Sequence, residues 1–496
     1  MDPLPAAVYS AASVRAMDRH ATGQGGIPAH VLMQRAGDAA FAALQRHWPS
    51  ARAISVLCGP GNNGGDGYVV ARLARAAGLD VRVVAIADPD RLRGDAARAH
   101  ADFVAQGGRT EPAGADALAG RDLIVDALLG TGVDRPLEEP FVSAIRAMNR
   151  ATVPVFSLDL PSGLDADTGW PRGFAVRATR TIAFLALKRG YYLGAAPDHV
   201  GLLEFASLGV AEETLRSETP VMRRIGGDLV AGVLLPRERG AHKGSHGRVV
   251  IVGGHAMPGA ARLAGEAALR AGAGIVMIVT GRSGIPAILA GRPELIVRAD
   301  EGFAQLRELL SSPHGPVTHL ALGPGLGTQP AAREAMDAAL GVGDSWVIDA
   351  DALTLLAGRR QRSERWILTP HPGEAARLLD ATPADVQRDR LAAVREVAER
   401  FGGTCVLKGA NTLVCGPEGE VWVCDRGNPG LATAGSGDVL TGVIAALRAP
   451  TPTIAAAAGV FLHAEAGDRA ARAGMRGMIA SDVVAQLRGV VNHPWS

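Results

Sequence analysis

Short apolar runs that stop in a glycine- or aspartate-bearing turn and lead into a helix-patterned segment recur along this 496-residue chain. That rhythm admits few folds. A strand that passes through a tight turn to a helix and returns as a parallel strand builds a sheet covered by helices, with right-handed crossovers. Ile54–Cys58 runs into Gly59-Pro60-Gly61-Asn62-Asn63-Gly64-Gly65-Asp66-Gly67. A helical stretch follows with Val69, Val70, Leu73 and Ala74 on one face, and then a strand, Val81–Ile86. This is a βαβ unit, and the 63 glycines and 4% aromatic content suit many such turns. The fold class expected is α/β. A chain this long exceeds what one core organises. The strand rhythm lapses between Gly209 and Arg239, across the polar EETLRSETP, so one domain is expected over residues 1–215 and another over 225–496.

The charge balance narrows the function classes. Lys plus Arg number 51 against 50 Asp plus Glu, with no long basic run, which argues against a nucleic-acid or anionic-membrane partner. MDPLPAAVYS lacks the basic and apolar regions of a signal peptide, and no apolar run is long enough to span a bilayer. Cys58, Cys405, Cys415 and Cys424 form no C-x-x-C pair and read as small buried residues in a reducing cytoplasm.

Polar residues gather where strands end, the edge at which open parallel sheets bind ligands. Gly59, Gly61 and Gly64 satisfy G-x-G-x-x-G, and Asp80 or Asp88 lies near a ribose-binding position, but that pattern alone is weak. It leaves Asn62, Asn63 and Asp66 unexplained, and no G-K-[ST] marks a P-loop. Leu123–Val125 ends at Asp126 before ALLGTGVDRP, and Val155–Leu158 ends at Asp159 before LPSGLDADTG with Ser162. One strand-end Asp is commonly a turn former, whereas several at one edge indicate a site. Asn63, Asp126 and Ser162 could ligate a hard cation, and their single carboxylate suits a monovalent one.

The second half restarts at HKGSHGRVVIVGG and repeats the pattern: LALGPGLG, VIDAD with Asp349 and Asp351, LTPHPGE with His371 and Glu374, and VLKGANT with Lys408. In NPGLATAGSGDVLTG, Asn428–Gly442, the turn Gly435-Ser436-Gly437 precedes a helix marked by Val439, Leu440, Val443 and Ile444. Backbone N–H groups and the positive helix end converge there, as an anion requires. Asp438 in the first turn reads equally as an ordinary stabilising charge or as a base beside a phosphate hole. Lys408, at a strand end before a glycine, is placed for a nucleotide phosphate.

Together the motifs resemble a known family. GPGNNGGDG, VDALLGTG and LDLPSGLDADTG are similar to the NAD(P)H-hydrate epimerase domain, a Rossmann-like three-layer α/β/α fold. GPGLG, IDADAL, TPHPGE, LKGANT and GNPGLATAGSGDVLTG resemble the ADP-dependent NAD(P)H-hydrate dehydratase, a ribokinase-like fold. The pair, in this order and over essentially the whole chain, resembles the bifunctional NAD(P)H-hydrate repair enzymes of bacteria. Two departures are small: Ser436 replaces the family's usual Thr in G-T-G-D, and Gln34 replaces an acidic residue before Arg35-Ala36-Gly37.

The resemblance implies two activities on NAD(P)HX, the reduced dinucleotide hydrated at C6 of its nicotinamide ring. The first domain would interconvert R and S forms, with Asp159 as acid/base group. Its substrate positions match Asn62, Asn63, Gly64, Gly65, Asp66, Gly130, Thr131, Gly132, Val133, Asp134, Arg135, Pro136 and Asp159, and its potassium ligands match Asn63, Asp126 and Ser162. The second would dehydrate the S form, with Ala260, Gly325, His371 and Asp438 on the substrate, Asp438 as general base, and ADP on Lys408, Gly409, Ala410, Asn411, Thr412 and Gly437. Magnesium would neutralise phosphate charge. A cytoplasmic homo-oligomer acting on NADHX or NADPHX is the expected setting. The alternative is a ribokinase-like small-molecule kinase with a non-catalytic N-terminal binding module; a Rossmann dehydrogenase fits least, since the second half offers no matching catalytic domain.

Overall fold

A computed structural model describes residues 2–112, 114, 117–132, 135–301, 303–311, 317–342 and 345–495. The chain divides into two compact units, Met1–Met222 and Arg223–Ser496.

The first unit is built on a seven-stranded sheet. Its order is Thr110–Pro112, Asp80–Ala85, Ala53–Cys58, Leu123–Ala127, Val155–Leu158, Arg180–Phe184 and Leu202–Ala206, all neighbours parallel. The helices Ala11–Thr22, Ala29–His47 and Asn62–Ala76 lie in the first part of this unit. Ala29–His47 buries Leu32, Met33, Ala36, Ala40, Ala43 and Leu44, recurring three or four residues apart as a core-facing stripe requires. Ala11–Thr22 starts at Ser10, whose side chain accepts from Ser13 N at 3.0 Å. Gln34 accepts from Arg72 and donates to Asp38, each at 2.7 Å, so the residue that departs from the family pattern ties two helices together.

One detail differs from the sequence reading. The helix after the first glycine-rich turn begins at Asn62, with Gly61 as N-cap. Asn62–Asp66 therefore form its first turns rather than a loop. The glycines do not prevent this because burial supplies what propensity lacks. A Cβ on Gly64 would lie 2.1 Å from Gly59 O, and one on Gly65 would lie 2.5 Å from Met33 Cε.

In the second unit the sheet runs Ile296–Ala299, Ile275–Thr280, Arg248–Val252, Val317–Leu322, Trp346–Ile348, Ile367–Leu368 and Thr404–Leu407 in parallel. The hairpin Thr412–Cys415 and Val421–Cys424 then adds two antiparallel pairings. Val249, Ile251, Val276 and Ile278 belong to one buried cluster with alanine-rich helices, their strands packing against Pro258–Ala271, while Pro452–Ala470 covers the strands from Ile367–Leu368 to Val421–Cys424. Small residues allow close helix packing. A Cβ on Gly442, in the helix Ser436–Ala446, would lie 2.0 Å from Ala264 O. Gly442→Ala is accordingly expected to destabilise this unit by about 3 kcal/mol through overpacking against backbone, read as a lowered thermal midpoint. Among the described residues no helix is long and apolar enough to cross a membrane.

Candidate active sites

In the first unit the strand Val155–Leu158 turns sharply at Asp159, which has φ 62, an unfavourable region for a residue with a Cβ. Three contacts hold it there. Asp159 N donates to Ile182 O at 2.8 Å, Tyr191 Oη donates to Asp159 O, and Lys188 Nζ donates to Asp159 Oδ1 at 2.7 Å. Lys188 is 1% exposed. Asp18, Asn62, Asn63, Asp66, Gly130, Thr131, Gly132, Asp159 and Lys188 line one cavity of about 420 Å³. Burial, reinforced by the charges of Asp159 and Asp18, pushes the Asp66 carboxyl well above its usual range. Desolvation and Asp159 raise Asp18 in the same way.

Asp126 lies fully buried at the end of its strand. It accepts from Ser162 Oγ at 2.5 Å, Ser162 N at 2.9 Å, Ser157 Oγ at 2.8 Å and Leu128 N at 3.3 Å. Burial raises its carboxyl against the opposing pull of these hydrogen bonds. Asn63 is also buried, and neither amide atom of its side chain has a hydrogen-bond partner among the described residues. Gly64 and Gly65 pack inward as described, and Arg135 and Pro136 are exposed and do not line the cavity. Val133 and Asp134 lie outside the described residues. Asp18, Lys188 and Tyr191 join the site without having been marked in the sequence.

In the second unit the strand ends converge on Lys408. Its Nζ donates to Asp349 Oδ1 at 2.8 Å and lies 3.7 Å from Glu374 Oε2. Asp349 Oδ2 accepts from Thr441 Oγ1 at 2.7 Å, on the helix that carries Asp438. Burial alone would lower the Lys408 ammonium, but Asp349 and Glu374 more than reverse that and hold it above its ordinary value. Burial, then the Asp349 charge, pushes Asp438 up to about 7 despite Lys408. A Cβ on Gly437 would lie 3.3 Å from Lys408 Nζ, so the glycine-rich helix mouth directly faces the ammonium. Gly435, with φ 86, makes the turn that opens the helix.

The neighbouring turns are equally fixed. His371 caps the helix Pro372–Leu379, its Nδ1 accepting from Gly373 N at 3.0 Å and Glu374 N at 3.3 Å. With Nδ1 an acceptor, the neutral ring carries its proton on Nε2; burial and the Lys408 charge keep the ring toward that neutral form. The buried Arg390 donates to Ala410 O and Leu407 O, pinning the Lys408–Ala410 turn, and Thr412 Oγ1 closes it on Gly409 O at 2.9 Å. Asn411 has φ 53. Gly325, with φ 61, accepts from Ala256 and Met257 N at 3.0 and 3.1 Å, joining its loop to the turn before Ala260. Ser436 Oγ lies 3.2 Å from Nε2 of the buried His463. Asp349, Glu374, Thr441 and His463 are the additions to the sequence assignment; Asp349 and Glu374 were visible as strand-end acids, but their convergence on Lys408 was not.

An α/β scaffold that brings a lysine–aspartate pair and a shifted carboxyl together at each of two sites, Lys188–Asp159 with Asp66 and Lys408–Asp349 with Asp438, defines a two-part enzyme. Residues 29–190 match the family described as YjeF-related protein N-terminus, and residues 249–488 match NAD(P)H-hydrate dehydratase. The chain is 42% identical to the bifunctional NAD(P)H-hydrate repair enzyme of Coxiella burnetii, over 98% of this chain and 99% of that one. It is 41% identical to the enzyme of that name from Escherichia coli, over 99% and 95%. A solved structure of a hypothetical protein from Streptococcus mutans is 27% identical with a TM-score of 0.50, covering 54% of this chain and 98% of its own. The chain belongs to the bifunctional NAD(P)H-hydrate repair enzyme family.

Proposed function

We propose that the chain repairs hydrated NADH and NADPH at two sites, the first interconverting R- and S-NAD(P)HX and the second dehydrating the S form with ADP. The observation that carries the second step is Asp438, a carboxyl held near 7 in the helix mouth that faces Lys408. A ring hydroxyl leaves poorly as hydroxide. Asp438 takes its proton, and the oxygen attacks the β-phosphorus of ADP as the bridging P–O bond breaks and AMP departs. The ring nitrogen's electron pair then expels phosphate from C6, and loss of a proton from the neighbouring ring carbon restores the dihydronicotinamide. Lys408 and the amides of Gly435–Gly437 are placed to hold transferring charge without rearrangement.

Magnesium fits this site as an ion carried chiefly by the nucleotide. Asp349 is already engaged by Lys408 and Thr441, and the described residues contain no cluster of three or more His, Cys, Asp or Glu side chains suited to a metal. Such an ion would neutralise phosphate charge. In the first unit, potassium is supported by the unpartnered buried amide of Asn63 together with the Asp126 carboxylate and Ser162 hydroxyl, an oxygen donor set with one formal charge. Asp159 is the acid/base group there, and the Asp66 carboxyl, raised by burial and by the neighbouring Asp159 and Asp18 charges, lines the same cavity.

The test supplies R- or S-NADHX with ADP or ATP and follows recovery of dihydronicotinamide absorbance. Recovery from S-NADHX is expected even when the first site is disabled, and recovery from R-NADHX only when it is intact. A phosphorylated product that accumulates would instead indicate a kinase, and no recovery from S-NADHX with either nucleotide would overturn the dehydratase reading. A base that titrates near 7 must be ionised to work. The dehydration rate is therefore expected to fall as pH drops through about 7.

A further inference from the structure

We propose that Lys188 is a positioning residue for epimerisation: its ammonium fixes Oδ1 of Asp159 so that Oδ2 is the oxygen presented to the substrate. The inference rests on the epimerase reading above and assigns a task to Leu187–Tyr191, a stretch that reading does not use. Lys188 Nζ holds Oδ1 at 2.7 Å. The other oxygen points toward Gly130, where a Cβ would lie 3.3 Å from Oδ2, and Gly130 and Asp159 line the same cavity. The carboxylate is thus divided into a held oxygen and a working one.

The grip is rigid and has two parts. Leu187–Lys188 pairs in parallel with Ala7–Tyr9, Val8 against Leu187 and Tyr9 against Lys188. The chain then turns through Arg189–Tyr191, and the Tyr191 hydroxyl donates to the backbone oxygen of Asp159. Lys188 Nζ also donates to that hydroxyl at 3.3 Å. One short segment therefore holds both the side chain and the left-handed backbone of Asp159. Asp18 and Asp66 face the same carboxylate. Arg15 lines the same cavity but donates to Thr131 O, whereas Lys188, 1% exposed, donates to Asp159 itself and so selects one orientation of its carboxylate.

Lys188→Met in the full chain is expected to lower kcat for R-to-S conversion on the order of 100-fold. KM should change less than about threefold, because the substrate contacts remain. Dehydration of S-NADHX by the same chain and a thermal melt report folding. Lys188→Ala should regain at least about tenfold of its lost kcat with added methylammonium, which a purely structural role would not permit. Tyr191→Phe, which keeps the ring, should lose about tenfold and decides the matter if the lysine variants fold poorly. A kcat for Lys188→Met or Tyr191→Phe within about twofold of the unaltered chain overturns the proposal, as does a loss confined to KM. An unaltered chain that does not epimerise R-NADHX sinks the functional reading itself rather than the role of Lys188.

Discussion

Asp438→Asn is expected to lower dehydration of S-NADHX by about 10³-fold and, above pH 7, to make the protein more stable. The loss of rate follows from removing the base; proton transfer by a positioned side chain is typically worth 10²–10⁴-fold. The gain in stability follows from the same perturbation. Asp438 sits near 7 in the folded chain against 3.8 for the free side chain. Between those values the folded state binds the proton that the unfolded state has released, so stability falls as pH rises from about 4 to 7. Above 7 the full penalty of holding the charge is present. Raising the carboxyl from 3.8 to about 7 sets a ceiling of about 4 kcal/mol, and partial solvent contact reduces the expected gain to about 1–3 kcal/mol. Thermal melts at pH 8 and pH 5 check this: the variant should lead at pH 8, and the gap should narrow at pH 5. An inactive variant with no such pH-dependent gain would place the shifted carboxyl elsewhere.

The second large effect is expected at Asp159. Asp159→Asn should reduce epimerisation by about 10³-fold while leaving dehydration of S-NADHX intact. Asparagine is the informative replacement because it tolerates the left-handed backbone at φ 62. It also still offers an oxygen to Lys188. What it removes is the negative charge, leaving a buried ammonium without its counter-ion. Breaking such a pair costs about 3–5 kcal/mol when no acceptor remains, so a smaller destabilisation is expected here. Asp159→Ala would add backbone strain of about 1–2 kcal/mol and confuse the two effects. Epimerisation of purified R-NADHX at the unaltered rate by either variant would remove Asp159 from the chemistry.

Much of this was legible because strand ends announce themselves. Asp126, Asp159, Asp349 and Lys408 each follow a short apolar run, and the sheet edge collects them. The two units divide after Met222, inside the stretch where the strand rhythm lapses. Other elements left weaker traces. Arg180–Phe184 and Leu202–Ala206 are strands whose apolar residues are interrupted by charge or follow an irregular segment, so no clear period marks them. Lys188 looks like any basic residue in sequence and acquires meaning only when the fold brings it to Asp159, 29 positions away. Likewise Thr441 reads as one more helix residue until it reaches Asp349. Local pattern reports where a chain turns, whereas a contact between distant turns depends on the whole sheet.

The absence of room between Gly442 and Ala264 has a consequence for turnover. The helix whose first turn carries Asp438 is seated against the backbone of a neighbouring helix, which opposes its movement in that direction during the proposed phosphoryl transfer. In the proposed reaction its amides and dipole would form a preset electrostatic mould, oriented when the chain folds rather than each time a substrate reacts. The work of arranging those charges belongs to the free energy of folding, and the chemical step inherits it already done.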